Sequence, residues 1–233
     1  MTTLSRNARV AGFLYVLLAV TAPVRLLYIP GQLFVRGDAG ATAANIAAHE
    51  ALFRFGIVTD LLAGTIVLFV TLALYRLFRD VDRGLASLVV ILGGLMVTPI
   101  YFVNALNDVA ALLLVRGGDH LAVFDRSQLD ALALLFLRLH GHGVLVNEVF
   151  WGLWLFPFGV LVIRSGFLPR VLGWLLIING IAYLIESMTG LVWPQHEARV
   201  SGLLFPALLG ELVVMLWLLI MGARERLDGT GRS

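Results

Sequence analysis

Apolar runs of about 20 residues, the length that crosses a hydrocarbon core, recur along this chain. They predict membrane-spanning helices at about 10–29, 52–75, 85–106, 143–163, 171–192 and 203–221. The third run can extend to Val115. The expected fold is all-α: one transmembrane domain over residues 1–233, built as a six-helix bundle. Between the first two runs, "RGDAGATAANIAAHEALF" reads as a short surface helix with Asp38 as its N-cap. Before the fourth run, "SQLDALALLFLRL" is too short to span and too apolar for a solvated loop. It predicts either an interfacial helix or the start of one long, glycine-broken helix. The first run follows Arg6 and Arg9 like a leader, but Pro23 and Arg25 stand where a cleavage site needs small residues, so it reads as a retained helix.

Composition narrows the chemistry. Charged residues make up 14% of the chain, well below the ~25% of soluble domains, which leaves little length for a soluble part. There is no cysteine, so disulfides, thiolate metal sites and catalytic thiols are excluded. There is no lysine either, which excludes a retinal or pyridoxal Schiff base and a Walker-type phosphate loop. Haem held between facing helices is disfavoured, because only the fourth span carries histidine near it. No GxSxG or HExxH occurs.

The basic residues report topology and not nucleic-acid binding. Arg6, Arg9, Arg76, Arg79, Arg83, Arg164, Arg170, Arg224, Arg226 and Arg232 fall on one side, ten in all. Arg36, Arg54, Arg116, Arg126 and Arg199, five in all, fall on the other. The positive-inside rule then puts both termini in the cytoplasm of a multi-pass protein of a bacterial inner membrane.

Polar residues inside the spans gather towards the outer side. At 1.5 Å of rise per residue, Asp60 and Glu211 lie about 12 Å down, Glu148 about 8 Å, Glu186 about 9 Å and Arg25 about 6 Å. Tyr101, Asn104 and Asp108 form one helical stripe, and Asn179, Tyr183 and Glu186 another. In "FLRLHGHGVLVNEVFWGLW", a continuous helix puts His140 and Asn147 about 20° apart and turns His142 away. The expected pocket comprises Arg25, Asp60, Tyr101, Asn104, Asp108, His140, Asn147, Glu148, Glu186 and Glu211. Only Arg25 and Arg138 are available to offset its acids. Protonation, a bound cation or a water-filled funnel would each resolve the imbalance.

The blocks "ARVAGFLYVLLAV", "GDAGATAANIAAHEALFRFGIVTDLL", "LFPFGVLVIRSGFLPRVLGWLLIINGIAYLIES" and "LLFPALLGELVVMLWLL" resemble, in this order, a large bacterial membrane-protein family catalogued as domain of unknown function 4386. The resemblance implies a six-helix integral membrane protein with counterparts of Asp60, His140, Glu186 and the Gly210-Glu211 pair. His142 and Glu148 are less typical of it. No activity comes with the family.

Three readings follow. The first is an outward-facing acidic pocket that binds a cation, a proton or a small amphiphilic ligand. The second is a membrane-embedded hydrolase of lipid-like substrates, with a divalent metal on candidates His140, Glu148, Asp60, Glu186 and Glu211. The third is a structural or partner-binding bundle clamped by its acids. An intramembrane acid costs at least ~2.5–3.5 kcal/mol on insertion scales, against ~0.6 kcal/mol for a measured interhelical clamp. That difference favours a functional role, and the bare inner halves favour one-sided binding over alternating access. The bilayer is the expected environment, and the tryptophans are assigned to interfaces and packing.

Overall fold

The computed structural model describes residues 2–223 and is helical throughout its spans. Arg224, Arg226 and Arg232, three of the arginines used for orientation, lie outside the described residues. Six helices are long and apolar enough to cross a membrane: α1 (Thr3–Leu33), α3 (Glu50–Phe78), α4 (Arg83–Arg116), α5 (Arg126–Ser165), α6 (Arg170–Val192) and α7 (Pro194–Ile220). A short surface helix, α2 (Ala39–Ala48), joins α1 to α3. It starts where the sequence places it, with the Asp38 carboxylate accepting from the Ala41 N–H at 2.8 Å.

The spans close into a ring in chain order. Each packs against its sequence neighbours, and α7 returns to pack on α1. The side of the bundle that carries the chain ends is termed terminal, and the opposite side distal. Small residues set the closest contacts. On α5 and α6, Gly152 faces Gly180 and Gly159 faces Gly173. A Cβ on Gly152 would stand 2.7 Å from the Gly180 carbonyl oxygen, and one on Gly159 would stand 2.7 Å from that of Gly173. These glycines let two backbones touch where lipid offers no hydrophobic drive. Gly12 does the same for α1 against the Leu218–Leu219 backbone of α7.

Apolar periodicity alone underestimates three helices. α1 runs on past 29, α7 begins at Pro194, and α5 is one continuous 40-residue helix. That settles the alternatives left open for "SQLDALALLFLRL": it is the first part of α5. At 1.5 Å per residue α5 is about 60 Å long, twice the hydrocarbon thickness. Its distal start packs against α2 and α4. A capping box of Asp125 and Gln128 begins it. Donation from the Ser127 hydroxyl and the Gln128 N–H holds the Asp125 carboxyl below its ordinary range.

Two spans are locally unwound. In α1 the Ile29 N–H reaches back five residues to the Val24 carbonyl, between Pro23 and Pro30. Pro30 has no N–H to offer the Leu26 carbonyl, so the regular ladder breaks there. This wide turn carries Arg25 inward, where it is buried. In α4 the Met96 N–H reaches the Ile91 carbonyl at 3.0 Å. The turn holds Gly93 flat against the Trp154 ring and Gly94 against Thr71.

The terminal half of the bundle is filled by aromatic rings. Tyr15, Trp154, Phe158, Phe78 and Phe167 follow one another at centroid separations of 5.7, 5.8, 5.8 and 5.5 Å. Each is at most 3% exposed, so this column is a dry plug.

Candidate functional site

The distal half of the ring is held by a buried polar network. Arg25 on α1 donates from Nε to Asp108 Oδ2 at 2.6 Å and from Nη2 to Asp108 Oδ1 at 2.5 Å. His140 on α5 places Nδ1 3.2 Å from Asp108 Oδ1 and 3.3 Å from the Asn104 carbonyl. Both neighbours are acceptors, so Nδ1 carries the proton and Nε2 is left without a hydrogen-bond partner. Asp60 on α3 is within electrostatic reach of His140, Arg25 and Asp108, and its Oδ2 is likewise unpartnered. Gly143 allows the fit: a Cβ there would strike the Asn104 carboxamide.

This accounts for much of "HGHGVLVNE". His140, Asn147 and Glu148 point inward and are buried, whereas Gly141 and His142 are exposed. Glu148 opens on a vestibule of about 740 Å³ between α1 and α5. His140, His142, Arg138 and Glu197 also line it. Glu148 faces two further acids, Glu186 and Glu197. Arg138, expected as an offsetting cation, stands exposed at this rim and forms no ion pair among the described residues.

Below the vestibule lies a second cavity of about 270 Å³, to which all six spans contribute. The two share Leu26 and Trp151 as a common wall. Glu211 of α7 lies in the deeper one. It accepts from the Tyr15 hydroxyl, from Asn179 Nδ2 at 3.1 Å and from the Tyr183 hydroxyl at 3.2 Å. Tyr15 and Asn179 lie twelve residues past Thr3 and nine past Arg170, about 14–18 Å along their helices from the terminal side. Glu211 is therefore near mid-span and forms the floor of the polar region. Among the described residues no arginine or histidine pairs with it.

The pattern of the family described as Domain of unknown function (DUF4386) matches residues 10–222. The chain belongs to this family. No curated protein and no solved structure matches it. The family description carries no activity, so the chemistry is read from the site.

In this DUF4386 chain the sequence-predicted pocket residues divide into four groups. Arg25, Asp60, Asn104, Asp108 and His140 come together in the distal network. Asn147 and Glu148 are buried on the inward face of α5 below His140, each with an unpartnered oxygen. Glu186 receives the Ser201 hydroxyl at the top of α7. Tyr101 and Glu211 line the deep cavity. Of the five metal candidates, Asp60 and His140 share the distal network, Glu148 faces Glu186 and Glu211 lines the deep cavity, and among the described residues no three histidine or acid side chains converge as a ligand set. Periodicity did not single out Tyr15, whose hydroxyl in the middle of a span was the available signal. Trp151 and Trp154, assigned to packing and interfaces, line the deep cavity beside Tyr101 and Tyr183.

Proposed function

We propose that this protein is a receptor-like binding protein of a bacterial inner membrane, with both termini cytoplasmic and its pocket open to the outside. It takes up a cation or a small amphiphilic ligand and performs no alternating transport. The observation that carries this reading is Glu211: a carboxylate near mid-span, in a cavity to which every span contributes, with three neutral donors and no counter-charge among the described residues. Buried charge in a span faces the bundle interior or water and marks a functional site. The vestibule lies on the distal side of this cavity and shares Leu26 and Trp151 with it, which supports entry from that side. The aromatic column from Tyr15 to Phe167 supports access from that side alone.

The test is ligand-dependent thermal stability of the purified protein in zwitterionic nanodiscs, for wild type and Glu211→Gln. Expected is a set of small cations or amphiphiles that raise the wild-type melting temperature and leave the variant unmoved. If no compound shifts the wild type, or every shift survives the substitution, the reading fails.

A further inference from the structure

The deep cavity has a composition more particular than polar. Four aromatic residues from three spans line it beside Glu211: Tyr101 of α4, Trp151 and Trp154 of α5, and Tyr183 of α6. Trp151 is central to the set. Its ring lies 6.2 Å from that of Tyr101 and stands edge-to-face with Tyr183 at 5.8 Å. Tyr15, which donates to Glu211, packs its ring against Trp154 at 5.7 Å. Faces of tyrosine and tryptophan attract cations through the ring quadrupole, most strongly where water is excluded.

The carboxylate is prepared for the same charge. Its two oxygens are held in place by three neutral hydroxyl and amide donors, from Tyr15, Asn179 and Tyr183. Asp108, another acid held by several donors, differs because Arg25 and His140 already occupy it. Nothing comparable occupies Glu211 among the described residues. A strongly hydrated metal ion would require several oxygen or imidazole ligands, and the cavity gathers one acid and aromatic carbon. The charge that fits is diffuse and weakly hydrated.

The remaining walls supply the second half of the ligand. Leu18 and Leu26 of α1 and Leu208 and Leu212 of α7 line the cavity. Leu212 is 42% exposed, so this wall reaches the lipid-facing surface between α1 and α7. The two helices meet tightly lower down, where Gly12 rests on the α7 backbone.

We propose that the cavity is a site for an organic ammonium ion with a short apolar tail, its head against Glu211 and Trp151 and its tail between α1 and α7. This rests on the binding reading above and names its ligand class. The site has the two elements that ammonium recognition requires, an aromatic enclosure and a single carboxylate.

The test titrates wild-type protein in phosphatidylcholine nanodiscs with hexyltrimethylammonium, hexanesulfonate and hexyl glucoside, reading tryptophan fluorescence and melting temperature. Glu211→Gln and Trp151→Leu are measured in parallel. Expected is saturable binding of the ammonium compound, about tenfold or more tighter than either other head group. Each substitution is expected to reduce that affinity by a similar factor while the protein stays folded. Equal affinity for all three compounds, lost in both variants, would overturn the ammonium assignment and leave the binding reading standing. No saturable binding of any of them to folded wild type, or ammonium affinity equal in wild type and Trp151→Leu, would overturn the assignment of this cavity. Trp151→Leu keeps the test decisive if Glu211→Gln does not fold.

Discussion

Arg25 and Asp108, 83 residues apart in sequence, meet in a two-pronged ion pair whose side chains are 2% and 0% exposed. The pair ties α1 to α4 at the level where α1 is unwound. His140 closes the third side from α5. These hydrogen bonds join three of the six spans above the deep cavity, and Asp60 of α3 lies within electrostatic reach of them.

Removing one partner leaves an uncompensated buried charge. Arg25→Met and Asp108→Leu are each expected to cost about 3–5 kcal/mol, and the double variant to recover most of that loss. Unfolding measurements on the four proteins in one lipid would check the cycle. Additive losses would show that the two side chains act independently.

Glycine substitutions should divide sharply by position. Gly159→Ala drives a methyl group into the Gly173 carbonyl and is expected to cost about 1–3 kcal/mol, as overpacking does. Gly141 lies mid-helix with nothing within 4 Å of a built Cβ. Gly141→Ala should therefore be neutral or stabilising by about 0.5–1 kcal/mol. Melting temperatures of the two variants give the comparison directly.

The cysteine-free chain allows topology to be read with single cysteines. Asp80, 89% exposed, lies in the α3–α4 turn, and Val123, 84% exposed, lies in the α4–α5 loop. In whole cells a membrane-impermeant maleimide should label Val123→Cys and spare Asp80→Cys until the membrane is permeabilised. The reverse pattern would place the vestibule on the cytoplasmic side.

Metal content follows from the finding that, among the described residues, no three histidine or acid side chains converge as a ligand set. Protein purified without chelator should carry substoichiometric zinc, manganese and iron, unchanged in Glu211→Gln. One equivalent lost in the variant would restore the hydrolase reading.

Helical phase within one span was legible from the sequence. At about 100° per residue His140 and Asn147 had to share a face and His142 to oppose them, and the buried and exposed positions agree. The cap at Asp38 and the six spans were legible for the same reason, because each depends on residues a few positions apart. The full lengths of α1, α5 and α7 were not. Their ends are polar or carry glycine and proline, and they are held by packing against α2 and α4, by capping and by neighbouring spans.

The sequence by itself thus determined a six-span membrane protein with more acids than cations in its interior. Tertiary structure alone decided which acid is neutralised and which is left open. Asp108 finds Arg25, and Glu211 finds Tyr15, a partner 196 residues away that carries no charge. Periodicity fixes the angle of a side chain about its own helix and says nothing of how that helix is turned towards another. Those rotations are set by contacts such as Gly152 on Gly180 and by the unwound turn that swings Arg25 inward. They leave Glu211 facing aromatic rings with no counter-ion among the described residues.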